Sequence, residues 1–246
     1  MSELLNKTLA QIVTGNHQAA TVFEKYHLDF CCKGKRPLSE AINEKHLPVE
    51  AVVKELNEVL GNAANKEAAL LNYINLSQLC DYIVDTHHAY VRQNSTQIAL
   101  YLEKISGKHG GRHPELVEIL QLFTTITEEM TEHMYKEENV LFPRIKELEK
   151  HYAEKIPLAL PASAYIEAPI AMMEQEHESA GSLLEKIREK TNNYTAPADA
   201  CTTYRVAFAS LQAFEADLHQ HVHMENNILF PRAVEMIKQL NAQAAN

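Results

Sequence analysis

Two twelve-residue stretches carry residues able to do chemistry together. His-Met-Tyr-Lys-Glu-Glu-Asn-Val-Leu-Phe-Pro-Arg, from His133 to Arg144, returns 88 residues later as His-Val-His-Met-Glu-Asn-Asn-Ile-Leu-Phe-Pro-Arg, from His221 to Arg232. In both, a glutamate follows the first histidine by four residues: His133 with Glu137, His221 with Glu225. On a helix that spacing raises both side chains from one face, about one turn apart. Imidazole and carboxylate together are ligands for a transition metal. A single His-x-x-x-Glu is more often a solvated helix pair; its recurrence inside a longer shared pattern favours metal binding.

The repeat reaches upstream. His88 precedes His133 by 45 residues, and His177 precedes His221 by 44. Each half therefore reads as a helical hairpin, with one histidine on its first helix and the His–Glu pair on its second. A long internal period of this kind marks a duplicated supersecondary unit. Two such hairpins make a four-helix bundle, which builds metal sites from inward-facing side chains.

The candidate metal ligands are His88, His133, Glu137, His177, His221 and Glu225. Four imidazoles and two carboxylates suit a dinuclear site with both glutamates bridging, and oxo or hydroxo ligands would fill some remaining positions. The absence of cysteine from the set speaks against an iron–sulfur centre. Structural zinc rarely needs six ligands on four helices, so iron is the best reading, with manganese and zinc as alternatives. Glu129 and Asp217 each stand four residues before a motif histidine, and Glu176 stands beside His177. All three are candidates to brace the ligands, because a bound imidazole usually donates its other N–H to a carboxylate or carbonyl. His219 and His223 form a rival i, i+4 pair, but they lie about 200° around the helix from His221. They are read as exposed or second-site histidines, and His87 as outside the site.

The elements that must position these residues are helical. Apolar spacing predicts one helix from about Leu76 to Ser106, with Leu79, Ile83 and Tyr90 inward. A second follows His113-Pro114, with Leu116, Leu120, Phe123, Ile126 and Met130 inward. A third spans Ala168 to Lys190 and a fourth about Asp199 to Leu240. Pro143 and Pro231 fall inside the second and fourth, where each removes a backbone donor and should kink the helix. Residues 1–60 read as short helices interrupted by Asp29-Phe30-Cys31-Cys32-Lys33-Gly34. Residues 61–75 read as a linker and 76–246 as the bundle. No segment shows sustained strand alternation, so the fold class is all-α.

Composition narrows the classes of function. Hydrophobic residues make up 46% of the 246, ample for a core. No 18-residue uncharged apolar run is present, so no membrane span is expected. A net charge of −10 disfavours nucleic acid as a partner. The N-terminus lacks a signal-like apolar core, and four cysteines, two of them adjacent, do not look like a secreted disulfide framework. A cytoplasmic location is expected.

Residues 77–240 resemble the hemerythrin-like fold, and 1–60 resemble a small N-terminal domain with the Asp-(Tyr/Phe)-Cys-Cys motif, here Asp29-Phe30-Cys31-Cys32. Together they resemble the iron–sulfur cluster repair di-iron proteins. That resemblance rests on His133-Met-Tyr-Lys-Glu-Glu, Glu-Gln-Glu-His177 and Glu225-Asn-Asn-Ile-Leu-Phe-Pro-Arg. It implies two non-haem iron ions held by the six ligands named above. It also implies repair of clusters damaged by nitric oxide or peroxide, with damaged or apo iron–sulfur proteins as partners, and it allows a homodimer and a nitric oxide reductase-type activity. The alternative is a sensor or binder of oxygen, nitric oxide or iron. Where family members often have a second histidine after the first helix's ligand, this chain has Val91. Met173 stands four residues before His177, and fewer imidazoles weigh against reversible oxygen carriage. Cys31 and Cys32 are candidate redox or iron-transfer thiols. Their Cα atoms are about 3.8 Å apart, too close for an unstrained mutual disulfide, and Lys33, Lys35 and Arg36 should favour their thiolates. Cys80 and Cys201 are expected to be buried.

Overall fold

The computed structural model describes residues 2–61, 74–156 and 163–244. Among them the chain is all-α: no strand is present, and the single isolated bridge joins Thr8 and Pro37. Most of the expected linker, residues 62–73, and the prolines Pro157 and Pro161 lie outside the described residues.

The helices are α1 (Ser2–Asn6), α2 (Leu9–Gly15), α3 (Ala19–Lys25), α4 (Leu38–Glu44), α5 (Val49–Gly61), α6 (Leu76–Ile83), α7 (Ala89–His109), α8 (Glu115–Lys136), α9 (Phe142–Glu154), α10 (Ala168–Lys190), α11 (Thr202–Met224) and α12 (Phe230–Ala244). Four wide, π-helical turns join or precede them: Val84–His88, Glu137–Leu141, Ser163–Glu167 and Glu225–Leu229. The chain forms two compact units. One comprises residues 1–80, 148–158 and 219–246, and the other 81–147 and 159–218. The division falls inside α6, α9 and α11.

The second unit is a bundle whose seam is written in the sequence with alternating steps of three and four. In α7 the seam is Val91, Ser95, Ile98, Leu102, Ile105 and His109; in α8 it is Leu116, Ile119, Phe123, Ile126 and Met130; in α10 it is Ile170, Met173, His177, Ala180, Leu184 and Ile187. All are buried. This 3–4 alternation keeps one stripe facing neighbouring helices, and α8 packs against both α7 and α10. Phe123 meets Phe214 of α11 edge-on, with centroids 5.2 Å apart. The seam differs from expectation at two places. Ile119, not Leu120, is buried, and Val91 takes the place expected of Tyr90. The second difference has a cause: the wide turn Val84–His88 inserts an extra residue per turn, so the position inward of Ile83 slips from seven residues on to eight.

In the first unit, Leu9, Val22, Phe23, Phe30, Leu38, Ile42, Val52 and Leu56 are buried. α2 opens with a reciprocal cap, in which Thr8 accepts from the Gln11 amide and the Gln11 side chain accepts from Thr8. The Cys31–Cys32 loop is organised by Asp29. Its Oδ1 accepts the backbone N–H groups of Cys31 (3.2 Å), Cys32 (2.9 Å) and Lys33 (3.3 Å). Gly34 closes the loop where nothing larger fits: a Cβ there would sit 2.2 Å from the Phe30 carbonyl oxygen. In the same unit Glu149 of α9 caps α6, accepting from the Leu76 amide at 2.8 Å and from the Ser77 hydroxyl at 2.6 Å.

The two motif prolines do not break their helices. Each is preceded by a wide turn in which the Phe142 and Phe230 amides reach back five residues to the Glu137 and Glu225 carbonyls. A proline needs a place in the ladder where no donor is required, and the change of hydrogen-bond register supplies one.

Candidate metal centre

The seams of α8 and α11 carry chemistry at their ends. In α8 the stripe continues from Met130 to His133 and then to Glu137. In α11 Tyr204, Ala207, Leu211, Phe214 and Leu218 lead to His221 and Glu225. These ligand candidates are buried because they stand where apolar residues would stand. Glu137, Glu225, His88 and His221 are fully buried, and His133 and His177 are 1% exposed.

Within the second unit three imidazoles gather at Glu137. His88 Nε2 and His133 Nε2 each lie 3.3 Å from the same carboxylate oxygen. His177 Nε2 is 3.0 Å from His133 Nε2, the two rings tilted at 57° with centroids 4.6 Å apart. His88 also stacks on Phe142, which follows the wide turn. Within the first unit, His221 Nε2 lies 3.1 Å from Glu225 Oε1.

The far nitrogens decide what those near nitrogens can do. His133 Nδ1 meets Glu176 at 2.9 Å, and His88 Nδ1 meets Glu138 at 2.6 Å. The hydrogen bond from His133 and the partnership with Lys136 hold the Glu176 carboxyl down at about 2. Burial alone would raise Glu138, but His88 and Arg92 hold it below the usual carboxylate value. Both acids are therefore ionised acceptors, and each Nδ1 carries the proton it donates. In a neutral imidazole the Nε2 atoms then present lone pairs, toward Glu137 in both cases and toward a second ring nitrogen in one. Lone pairs from nitrogen and carboxylate converging in a buried space repel unless a cation lies among them. That donor set fits a metal ion, and the carboxylate-braced imidazole is the usual arrangement around one.

The brace residues differ from those that spacing along one helix suggests. Glu129 accepts from Ser179 at 3.3 Å rather than supporting His133, and Asp217 pairs with His87 at 3.0 Å rather than supporting His221. Glu138 was not anticipated. Its reach to His88 crosses between helices 50 residues apart in sequence, which no i, i+4 pattern reveals. His87, placed outside the site by its angle, is nonetheless buried, held by Asp217 and edge-on to Tyr82.

His219 and His223 are not exposed. His223 is buried at 4% exposure, edge-on to Phe30 and 3.3 Å from the Thr14 hydroxyl, while His219 pairs with Glu24 at 2.6 Å. Asn227, inside the Glu225–Leu229 turn, donates to the carbonyls of Phe30 (3.3 Å) and Cys31 (3.0 Å). The face of α11 and its following turn directed away from His221 thus holds the Cys31–Cys32 loop. The thiolate expected at Cys31 is not favoured. Its hydrogen bond to Cys32, burial and the nearby Asp29 carboxylate push the thiol well above its ordinary range. Arg36, whose charge was expected to help, is taken up by Glu44. No disulfide joins any of the four cysteines. Cys80 is buried as expected, but Cys201 is only partly so.

Residues 79–233 match the model of the hemerythrin HHE cation binding domain, more than half of the chain. The chain belongs to the hemerythrin HHE family. Residues 5–60 of this hemerythrin HHE protein match a second model, a domain of unknown function, DUF542. It is 33% identical over 229 residues to the iron-sulfur cluster repair protein YtfE of Enterobacter sp. (strain 638), covering 93% of this chain and 97% of that protein. The proteins of the same name from Escherichia coli O157:H7 and Yersinia pseudotuberculosis serotype IB (strain PB1/+) are 32% identical over the same shares. No described helix is long and apolar enough to cross a membrane.

Proposed function

We propose that this chain repairs iron–sulfur clusters damaged by oxidative or nitrosative stress by donating iron to them. In this reading His88, His133, Glu137, His177, His221 and Glu225 together hold two non-haem iron ions, with Glu137 and Glu225 bridging and an oxo or hydroxo group completing the set. The observation that carries it is the convergence of braced Nε2 lone pairs on the buried Glu137; the naming of the relatives supplies the substrate class. Iron held by these residues would supply labile, exchangeable coordination and a place for a small molecule such as nitric oxide.

The protein's own part is to keep the donors aimed. Glu138 and Glu176 fix the protonated nitrogen of His88 and His133 on the far side of each ring. The buried seam keeps bulk water away. Nitrogen and oxygen donors hold Fe2+ less tightly than the later first-row metals, which suits a site built to give iron away. Residues 1–60 would form the Cys-Cys domain, 61–75 the linker and 76–246 the iron-holding bundle. Damaged or apo iron–sulfur proteins would be the clients. Adjacent free thiols suit action in a reducing cytoplasm.

The experiment is direct. Glu137→Ala and Glu225→Ala should each lower bound iron and abolish reactivation of an apo ferredoxin-type client, with helicity by circular dichroism retained. Full repair by an iron-free double variant would overturn the reading. A second reading, a sensor of oxygen, nitric oxide or iron, is favoured by one contact. Asn227 ties the Cys31 carbonyl to the turn that begins at Glu225, so a change at that turn would be felt by the cysteine loop. Reversible ligand binding with no iron transfer would select it.

A further inference from the structure

Cys201 is the residue immediately before α11. Its carbonyl accepts the Arg205 amide at 3.1 Å, the first bond of that helix. It therefore occupies the N-cap position, where a side-chain acceptor normally satisfies the open amides of the next residues. Serine, threonine, aspartate or asparagine usually fills this place, and here the acceptor is sulfur. The second observation is independent of the helix end. His109, the last residue of α7, is 5% exposed and points Nε2 at the Cys201 sulfur from 3.3 Å. Its Nδ1 is buried with no hydrogen-bond partner. A neutral imidazole has one N–H to place. At Nδ1 it would be buried without an acceptor, and at Nε2 it meets sulfur. The economical state is an Nε2–H donating to the sulfur.

The surroundings agree. The backbone amides of Tyr204 and Thr203, with Lys108 nearby, draw the Cys201 thiol below its ordinary value. The nearest acid in sequence, Asp199, is engaged by His113 and Arg112. Tyr204, tilted against the His109 ring, is itself buried and held up at about 12, so it stays neutral. Unlike Cys31 and Cys80, Cys201 retains access to solvent.

We propose that Cys201 is a peroxide-reactive thiolate, a modification site activated by His109 and the start of α11. The thiolate attacks one oxygen of hydrogen peroxide. The S–O bond forms as the O–O bond breaks, the departing hydroxide takes a proton from water's pool, and the sulfur, oxidised by two electrons, becomes a sulfenic acid. None of this depends on which metal chemistry the protein performs.

The test uses the full, metal-loaded protein treated with hydrogen peroxide and a dimedone-type trap, followed by peptide mass mapping. Cys201 should be labelled about tenfold faster than the fully buried Cys80. H109Q should slow Cys201 labelling by about tenfold while bound iron stays unchanged, which separates the thiol's reactivity from oxidation driven by the metal. Should H109Q fail to fold, the wild-type protein still decides the matter. The pH midpoint of Cys201 alkylation by iodoacetamide should lie below that of an ordinary thiol. A rate still climbing through an ordinary thiol midpoint near about 8.5, or equal labelling of Cys201 and Cys80, would overturn the proposal.

Discussion

At the scale of single residues, the ligand candidates were legible because they obey the same arithmetic as the core: His133 and Glu137 continue the α8 seam, and His221 and Glu225 that of α11. Of the supporting residues, Glu176 was legible as a neighbour of His177, though the ring it meets is that of His133, and Glu138 was not, since it acts across helices, where spacing along one helix says nothing. Glu176→Gln should weaken iron binding by about 10–100-fold without loss of helicity, because His133 would lose the anion that fixes its tautomer; competition with a chromogenic chelator measures it. His223 offers a test of pH. Burial among Phe30, Thr14 and Asn227 pulls its imidazole down to about 4 from 6.5. A depressed folded value means the unfolded chain binds the proton more readily at acid pH. The contribution is whole above pH 6.5 and falls away as pH drops toward 4, by about 3 kcal/mol at most. Melting of the metal-free protein between pH 7.5 and 5 should show this loss, and His223→Asn should flatten that window. An unchanged slope would mean the ring is not desolvated.

At the scale of elements, the helices and their approximate bounds were open to a reader of the sequence, but the wide turns were not. A π-helical turn leaves the apolar count almost unchanged and moves it by one place, which is why Tyr90 was expected where Val91 is found. The Leu-Phe-Pro sequence shared by both motifs was the available signal, since a proline inside a helix must be accommodated somewhere. The cysteine loop gives two predictions here. Gly34→Ala forces a Cβ against the Phe30 carbonyl and should destabilise residues 1–60 by about 1–3 kcal/mol, seen as a lower denaturant midpoint. Asn227→Ala removes the donor to the Phe30 and Cys31 carbonyls. It should cost about 1 kcal/mol and speed the reaction of Cys31 with a thiol reagent, while bound iron is retained. Protection unchanged by that substitution would show that burial alone guards the thiol.

At the scale of the whole molecule, the 88-residue repeat conveyed the duplicated hairpin and the all-α class. It could not convey that the copies have diverged in what their asparagines do. Asn139 folds back on its own helix at the Tyr135 carbonyl, whereas Asn227 holds another segment. The arginines stayed alike in kind: Arg144 grips the Tyr165 carbonyl and Arg232 the Ile74 carbonyl. Iron bound by ligands from several helices should stabilise the fold as any native-state ligand does. Stripping it with a chelator should lower Tm by about 5–10 °C, and the Glu137→Ala, Glu225→Ala double variant should show no further drop.

Each motif glutamate opens a stretch of five residues wound more loosely than its neighbours. Excising one of them, Val140 for instance, would bring the Phe142 amide to the ordinary α interval from the Glu137 carbonyl, so Phe142, Ile145 and Leu148 would keep their buried places. Pro143 would then stand inside an unbroken α ladder, its ring against the carbonyl four positions back. The spare residue therefore works as clearance for the proline, and both copies must keep the same interval from glutamate to proline.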